Sequence, residues 1–281
     1  MIGLTHRKVM WWVALGGCAG WGWHQAHGGW RRDGQGVCVG RKGVSWHRAG
    51  EWQGESNLTN VVREAVDRGV AYIEFDVRRT CDGVLVVWHD EVLSSGKRLS
   101  EVTWDQYVSE AGGLAHSVRD VIIASKDRVK LHVDLKEMGY EKELLDLLLS
   151  EVDAGSFVIT TLESKSIREI KRLHPEVRCG LSLGRALGGG NFLRFLWVRM
   201  GELFPGIRVA RCQADFLAVN QHLARVSVLR YCNRHDIPAW VWTVDDVGLM
   251  AKFMTCPNVE VVITNRPRLP QMGAAVIDNR I

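Results

Sequence analysis

Three carboxylates occur at alternating positions in two short β-rich runs of the chain. One run reads Tyr-Ile-Glu-Phe-Asp-Val and places Glu74 and Asp76 on one face, because successive side chains of a strand point to opposite faces. The other reads Leu-His-Val-Asp-Leu-Lys and places Asp134 on the same face as Lys136. Carboxylates gathered on adjacent strands would repel one another and lose hydration. A bound divalent cation removes both costs, and oxygen ligands favour Mg²⁺ or Ca²⁺ over zinc.

Two simpler arrangements are compatible with the same alternation. The carboxylates would lie on a solvated sheet face, or one of them would form an internal ion pair with Lys136. For Glu74 and Asp76 alone, these arrangements are as good as a metal site. Because Asp134 and Lys136 lie on the next strand, we favour a metal site over these two arrangements.

Two histidines extend the chemistry that these residues suggest. His47 and His89 each follow a short extended run, and Arg48 follows His47 directly. A histidine pair suits phosphodiester cleavage, because one takes a proton from the nucleophile and the other gives one to the leaving oxygen. Their ordinary pKa near neutrality serves both tasks. Arg48, through bidentate hydrogen bonds, and Lys136, as a point charge, would act on the phosphate. The other eight histidines are interpreted as structural.

These residues lie far apart in the chain and need a scaffold that brings them together. From about residue 41, β-rich runs alternate with helical patterns, which predicts βα units and a parallel sheet. Eight strands are predicted, at Gly43–Trp46, Ala71–Val77, Lys130–Leu135, Phe157–Thr161, Val177–Ser182, Asp215–Val219, Ala239–Trp242 and Val259–Ile263. Five helices are predicted, at Asn57–Arg68, Glu141–Glu151, Ser164–Leu173, Gln221–Arg234 and Asp246–Met254.

Eight repeats predict an α/β protein built as a closed (β/α)8 TIM barrel, a single domain with an N-terminal extension. An open doubly wound sheet is the alternative, and it is disfavoured because no GxGxxG follows the first strand. In a barrel the apolar face of each strand meets the helices, so the carboxylates point inward. Val84–Val87 is predicted as an extra extended piece. The long excursions 90–129 and 183–214 are expected to shape the active site.

At these residues the sequence resembles the glycerophosphodiester phosphodiesterase family. The family pattern is HR, PENT, IExDV and TxDGxxVxxHD, and its counterparts here begin at His47, Gly54, Ile73 and Thr80. The run from His132 to Lys136 is similar to the family's ExK strand. Trp240–Val244 and Ile263–Pro267 are similar to the endings of its last two strands. The similarity covers about residues 43–267.

The resemblance implies a barrel of the phosphatidylinositol phosphodiesterase type, one divalent cation, and hydrolysis of glycerophosphodiesters to sn-glycerol 3-phosphate and an alcohol. By motif position it implies an acid–base pair, His47 and His89. It also implies three metal ligands, namely Glu74, Asp76 and Asp134. It further implies residues that line the substrate site, namely Arg48, Lys136, Glu55 and Trp242.

The sequence departs from the family pattern in three places. Asp134 stands where the family has Glu, so a metal must lie closer to this strand or bind through water. The same Asp makes the run similar to that of spider-venom phospholipase D enzymes. Gly54 and the Ser56-Asn57 pair replace a proline and Asn-Thr, although Asn57 still serves as a helix cap. The excursion 90–129 is short for the family, which predicts a more open or differently covered glycerol pocket.

Two other functions are compatible with the sequence. A lysophospholipase D would use an apolar groove, and Phe192–Met200 is either a lipid-facing lid or a helix packed on the barrel. A catalytically decayed barrel would serve as a binding module. Decay should remove site residues first, yet both histidines, the three carboxylates, Arg48 and Lys136 all remain.

Composition excludes several classes of protein. The 281 residues are 46% apolar and 24% charged, as in a soluble globular protein. Residues 1–40 carry a net charge of +3 out of the total of +4, so the body is balanced and we expect no nucleic-acid partner. The seven cysteines lack zinc spacing and are interpreted as reduced thiols, which favours a reducing compartment.

The head of the chain differs from the rest, since five of the 12 tryptophans lie in the first 30 residues. Residues 1–40 are interpreted as a flexible extension, a secretory signal or a membrane anchor, and contact with a membrane would occur through this segment. We favour a cytoplasmic or membrane-associated protein, and the alternative is an exported lipoprotein, because Leu15-Gly16-Gly17-Cys18 resembles a bacterial lipoprotein cleavage box. The barrel is assigned to residues 41–270 and a tail to residues 271–281. The sequence makes no prediction of the oligomeric state.

Overall fold

The structure, a computed structural model, describes residues 42–50, 57–184 and 192–267, with the side chains of residues 192–197 outside this description. The predicted leader, residues 1–40, and the predicted tail, residues 271–281, lie outside the described residues, as does Glu55. None of the described helices is both long enough and apolar enough to span a membrane.

Eight parallel strands close into a barrel, which confirms the predicted fold. They are β1 (Gly43–Trp46), β2 (Tyr72–Arg79), β4 (Lys130–Leu135), β5 (Phe157–Thr161), β6 (Cys179–Leu183), β7 (Phe216–Asn220), β8 (Ala239–Trp242) and β9 (Val259–Thr264). Each strand pairs with its sequence neighbour, apart from the intervening β3, and β1 pairs with both β2 and β9 to complete the ring. The extra extended piece is β3 (Leu85–Val87), which pairs antiparallel with β2 outside the ring.

The described helices surround the barrel. They are α1 (Leu58–Asp67), α2 (Trp104–Ala111), α3 (Val118–Ser125), α4 (Glu141–Glu151), α5 (Ser164–Leu173), α6 (Phe192–Leu203), α7 (Gly206–Cys212), α8 (Gln221–Leu223), α9 (Leu229–His235) and α10 (Val247–Thr255). Residues 224–228 form a π-helical turn between α8 and α9, so the predicted helix Gln221–Arg234 is one interrupted run.

Two predicted helices begin one residue too early because their first residue is a cap. Asn57 accepts hydrogen bonds from the backbone N–H groups of Thr59 and Asn60 at the start of α1. Asp246 accepts from the N–H of Leu249 at the start of α10. A capping residue keeps an extended backbone while its side chain satisfies free N–H groups, so the helix proper starts after it.

The excursion 90–129 contains helices that the sequence analysis did not predict. Thr103 and Ser117 each form a capping box, and α2 and α3 follow them. Helix α3 lies between α1 and α4 and therefore serves as the barrel helix between β2 and β4. The excursion 183–214 likewise forms α6 and α7.

The apolar core lies mainly between the strands and the helices. Ile73, Phe75 and Val77 on β2 are fully buried there, as the alternation predicts. A second cluster fills the barrel interior, and it consists of Val158, Phe216, Ala218, Trp240, Val261 and Ile263 with Tyr72 and Trp242 packed against it. Near the amino ends of the strands, Arg178 forms a bidentate ion pair with Glu260. The inner faces of β1, β2 and β4 carry polar residues instead.

The five described cysteines are free, and three of them, Cys179, Cys212 and Cys232, are buried.

Candidate active site

The three predicted carboxylates converge inside the barrel. Parallel pairing of β2 and β4 sets Asp76 directly opposite Asp134, and Glu74 lies two residues before Asp76 on the same face. Each of the three offers one oxygen, and these oxygens all lie within 4.8 Å of one another. Glu74 and Asp76 are 3% and 4% exposed, so two of the carboxylates have lost most of their hydration.

Lys136 lies among these carboxylates. Its Nζ atom is 2.6 Å from Asp76 Oδ1 and 2.6 Å from Asp134 Oδ2. An internal ion pair with Lys136 was expected as an alternative to a metal site. It forms within the cluster of carboxylates itself. Burial alone would raise the pKa of Asp134, but the Lys136 ammonium outweighs burial and lowers it. At Glu74 the charge of Lys136 and the Arg48 N–H oppose the shift, but burial and repulsion from Asp76 and Asp134 outweigh them and raise its pKa well above the usual range.

This donor set fits a divalent cation. Three carboxylates face the ammonium of Lys136 and the guanidinium of Arg48, which leaves an excess of negative charge in a buried place. Repulsion from Asp76 and Asp134 adds to burial in raising the pKa of Glu74, as such an excess would do. Oxygen-only ligands match hard cations. Glu74, Asp76 and Asp134 would hold the ion, and among the described residues the cluster includes no soft ligand.

Arg48 reaches the cluster through an unusual turn. Directly after β1 the chain enters a short 3-10 turn, in which Arg48 and Ala49 have positive φ angles of 48° and 39°. This left-handed backbone costs about 1 kcal/mol for each residue that carries a Cβ. It directs the Arg48 N–H to Glu74 Oε2 at 2.6 Å and the Arg48 Nε to within 3.4 Å of Asp76 Oδ2. These contacts hold the turn and place a cation beside the carboxylates.

His47 is held in one orientation by the end of β9. Its Nδ1 lies 2.7 Å from Asn265 Oδ1. Asn265 in turn donates from its backbone N–H and its Nδ2 to the Asp245 carboxylate, both at 2.8 Å. Since Nδ2 faces Asp245, the oxygen of Asn265 faces His47, and an amide oxygen only accepts. His47 Nδ1 therefore carries a hydrogen, and Nε2 of the neutral ring has a free lone pair.

The neutral form of His47 is the favoured one. Burial lowers the pKa of this half-buried side chain below its ordinary value, and the charges of Arg48 and Lys136 lower it further. The hydrogen bond to Asn265 and the charge of Asp76 oppose the shift without cancelling it. A histidine of this kind accepts protons at neutral pH.

His89 has a carboxylate partner and a second anchor. Its Nδ1 lies 2.6 Å from Asp90 Oδ1, so Nδ1 donates. Its backbone carbonyl accepts a hydrogen bond from Arg78 Nε at 3.0 Å, and the same guanidinium pairs with Glu137. Arg78 therefore ties the His89 segment to the residue that follows Lys136.

A further histidine, His132, lies in a chain of hydrogen bonds behind the cluster. Its Nδ1 is 3.0 Å from Ser45 Oγ, and its Nε2 is 2.9 Å from Thr160 Oγ1. Thr160 Oγ1 is also 2.9 Å from Asp134 Oδ1. Burial lowers the pKa of His132 to about 3, so the ring is neutral.

Trp242 ends β8 and packs on the interior cluster. It lies close to Gly184, the residue directly after β6, where an added Cβ would stand 3.2 Å from the tryptophan ring. Both residues lie at the carboxyl ends of strands, where a TIM barrel places its active site.

Several residues of this arrangement were missed by the sequence analysis. Asn265 lies in the run Ile263–Pro267, whose similarity indicates only a strand ending, and Asp245 and Thr160 belong to no motif. Arg78 lies two residues after Asp76 and so faces the same way, which was a usable signal. His132 was recognised on the inner face but was grouped with the structural histidines.

Known proteins match the sequence of this chain. The model of the glycerophosphoryl diester phosphodiesterase family matches residues 47–118. The chain is 25% identical over 226 residues to the probable glycerophosphodiester phosphodiesterase 2 of Mycobacterium tuberculosis, covering 76% of this chain and 83% of the relative.

Solved structures share the fold. A glycerophosphodiester phosphodiesterase from Agrobacterium tumefaciens matches with a TM-score of 0.63 at 18% identity, covering 81% of this chain and 98% of that one. A phosphodiesterase from Oleispira antarctica, solved with the product sn-glycerol-3-phosphate, matches with a TM-score of 0.63 at 17% identity, covering 80% and 94%.

The matched proteins whose names give an activity are phosphodiesterases, and their solved structures have the same barrel fold as this chain. The chain is thus similar in sequence to glycerophosphodiester phosphodiesterases and shares their barrel fold, and this confirms the resemblance carried by the motifs.

Proposed function

We propose that the chain hydrolyses glycerophosphodiesters to sn-glycerol 3-phosphate and an alcohol, using one divalent cation and the pair His47 and His89. The observation that carries the proposal is the convergence of Glu74, Asp76 and Asp134 beside Lys136 at the carboxyl ends of the strands. The two histidines lie at the same end of the barrel, each following a strand that forms or flanks the cluster.

The cation is Mg²⁺ or Ca²⁺ in this proposal. When bound, it supplies positive charge to a phosphoryl oxygen and a template for the substrate. Asp76 and Asp134 would then share their oxygens between the ion and Lys136. Lys136 remains charged throughout, because the surrounding carboxylates raise its pKa against the effect of burial.

His47 is the general base in the proposed reaction. Its Nδ1 is committed to Asn265, and its Nε2 has the free lone pair that takes a proton from the nucleophile. The nucleophile is either water or the 2-hydroxyl of the substrate's own glycerol, the latter through a cyclic phosphate.

His89 is the general acid. Its Nδ1–H points to Asp90, which fixes the ring, and in the proposed reaction its Nε2 carries the proton to be donated. That proton goes to the leaving alkoxide. Arg48 directs the rest of its guanidinium toward the phosphate, since its Nε faces Asp76. Glu55 and Trp242 are proposed to line the substrate site.

The test is an activity assay on the purified full chain. Release of sn-glycerol 3-phosphate from glycerophosphocholine is measured with Mg²⁺, with Ca²⁺ and with EDTA. We expect turnover with a divalent cation and none with EDTA. His47→Ala and His89→Ala should each lower kcat about a hundredfold or more. His174→Ala is the matched control, because His174 pairs with Glu176 away from the site. Full activity in EDTA, or in His89→Ala, contradicts the proposal.

Lysophosphatidylcholine in the same assay tests the other substrate class. Preference for it over glycerophosphocholine would assign the chain as a lysophospholipase D instead. Metal affinity without turnover on either substrate would indicate a binding module.

A further inference from the structure

A group of large apolar side chains is exposed on the excursion that follows β6. Phe204 and Ile207 are 66% and 69% exposed, and Met200 and Val226 are also exposed. We call these four residues the apolar rim. Met200 and Phe204 are four residues apart on one helical turn, since the Phe204 N–H donates to the Met200 carbonyl at 3.0 Å. Val226 lies beside them, because its neighbour Ser227 contacts the carbonyl of Leu203.

The rim lies at the same end of the barrel as the candidate site. Arg208, next to Ile207, donates to the carbonyl of Leu162, the residue directly after β5. Glu202 accepts a hydrogen bond from the backbone N–H of Gly184, the residue directly after β6. Both anchors are at the carboxyl ends of strands, as are Asp76 and Asp134. A flat surface that touched the rim would therefore lie close to the mouth of the barrel.

The chain around the rim is strongly basic. Residues 192–235 contain seven arginines, no lysine and two carboxylates, a net charge of +5 within a chain of net charge +4. Both carboxylates are withdrawn from the surface, since Glu202 is 1% exposed and pairs with Arg199. Asp215 is buried against Lys171.

Two of these arginines are suited to contact a ligand at the rim. Arg211 is exposed four residues after Ile207, which places both on one face of α7. Arg225 is exposed directly before Val226. In the part of the chain that the structure describes, no carboxylate pairs with either arginine. The surface thus combines exposed apolar side chains with uncompensated positive charge.

We propose that the apolar rim docks the chain on an anionic phospholipid surface. Apolar side chains bordered by arginines match the boundary between lipid headgroups and acyl chains, where the arginines remain with the phosphates. A polar protein partner would not favour Phe204 and Ile207 at the centre of its contact. Docking in this way turns the barrel mouth toward the membrane.

The decisive experiment is photo-crosslinking in the full chain. Benzoylphenylalanine is introduced at Phe204 in one variant and at Ile123 in another, because Ile123 on α3 is 57% exposed and lies away from the rim. Each variant is irradiated with vesicles of phosphatidylcholine containing phosphatidylglycerol, and lipid adducts are counted by mass spectrometry. We expect adducts at position 204 and few at position 123. This readout is specific to the rim, whatever other part of the chain touches the membrane. No adduct at 204, or equal yields at the two positions, overturns the proposal.

Vesicle affinity provides a second measurement. The Phe204→Ser and Ile207→Ser pair of substitutions should weaken binding to anionic vesicles about tenfold or more, whereas Ile123→Ser should leave it unchanged. Arg211→Gln and Arg225→Gln should each weaken it about fivefold at low salt. Lys126→Gln and Arg128→Gln are exposed charge controls elsewhere.

Self-association is the competing use of such a surface. A dimer detected by analytical ultracentrifugation that Phe204→Ser abolishes, together with an unchanged vesicle affinity, overturns the proposal. The proposal does not depend on the reaction proposed above, because hydrolysis of water-soluble glycerophosphocholine should be the same in the rim variants.

Discussion

Thr160 Oγ1 lies 2.9 Å from Asp134 Oδ1, and this contact sets the order of protons behind the carboxylate cluster. A hydroxyl has one hydrogen, and a carboxylate only accepts, so Thr160 gives its hydrogen to Asp134. His132 must then donate to Thr160 from Nε2, which leaves Nδ1 to accept from Ser45. Every donor in this chain points toward Asp134.

This chain of hydrogen bonds predicts that Thr160 orients Asp134, a ligand of the proposed metal. Thr160→Val keeps the shape but removes the hydrogen bond, so we expect metal affinity to fall about tenfold to a hundredfold. Thr160→Ser retains the hydroxyl and should restore most of the affinity. Titration calorimetry with Mn²⁺, Mg²⁺ and Ca²⁺ measures both variants without reference to turnover. Equal affinity in Thr160→Val and the wild type would rule out this role.

The same chain of hydrogen bonds predicts a defined tautomer of His132. The nitrogen signals of its ring in an NMR spectrum should show a hydrogen on Nε2 and a bare Nδ1 at neutral pH. A hydrogen on Nδ1 would mean that Ser45 accepts and that the chain runs the other way.

Stability should depend on pH through His132. Burial lowers its pKa to about 3, whereas the unfolded chain has a value near 6.5, so the unfolded state binds more protons between these values. The contribution is therefore fully present above pH 6.5 and is lost as the pH falls toward 3. Across that window the free energy of unfolding should drop by about 1.4 kcal/mol per pH unit from this group alone.

The measurement is urea unfolding at a series of pH values. His132→Gln is expected to be less stable at pH 7. Its free energy of unfolding should decline less steeply on acidification, and the difference in slope should correspond to about one bound proton. His174→Gln serves as the control, since His174 is partly exposed. Identical slopes in the wild type and His132→Gln would contradict the prediction.

The sequence was sufficient where spacing alone decides position. Alternation along β2 and β4 put Glu74, Asp76 and Asp134 on one face. Closure of the barrel then turned that face to the interior, where the pairing of β2 with β4 brings the three carboxylates together. The convergence of the carboxylates and the fold could therefore be predicted. The contacts between distant segments could not, because no spacing relates Asn265 to His47 or Thr160 to Asp134. Those pairings depend on the register between strands, which only the folded barrel fixes.

The excursion 90–129 shows a different limit. Helix α3 has a weak apolar period, with Val118, Val121, Ile122 and Ser125 buried over only eight residues. Its start is marked by Ser117 and Asp120, a capping box with Asp in place of the usual Glu. A short helix of this kind derives its stability from packing on β3 and β4 rather than from its own sequence.

Asn265 should matter to catalysis although it touches no substrate in the proposed reaction. Asn265→Leu removes the acceptor for His47 Nδ1–H, so the ring loses its fixed tautomer and orientation. We expect kcat/KM to fall about tenfold to a hundredfold. Asn60→Leu on α1 is the control, because the side chain of Asn60 accepts a hydrogen bond from Arg63 on the same helix. Asp245→Asn should give a similar loss, since Asp245 holds the amide of Asn265 in place.

The pH dependence of kcat/KM tests the same assignment. Activity should decline on acidification through the pKa of His47, which burial holds below the ordinary histidine value. The wild-type acid limb should therefore lie below pH 6.5. Loss of the Asn265 hydrogen bond removes an influence that raises this pKa, so the limb of Asn265→Leu should move to lower pH. A limb that stays in place would mean that another group controls it.

Arg78 should affect His89 through its backbone. The guanidinium donates from Nε to the His89 carbonyl and pairs with Glu137, so Arg78→Gln frees the segment that carries the proposed acid. We expect kcat to fall about tenfold with a small change in KM, because the acid acts only in the transition state. Arg78→Lys should not rescue the loss, since an ammonium cannot make both contacts with the geometry of a guanidinium. The neighbouring Arg79→Gln is the matched control, because Arg79 faces outward to Glu143 and Tyr140. If Arg78→Gln and Arg79→Gln lose activity equally, general destabilisation rather than positioning of His89 explains the effect.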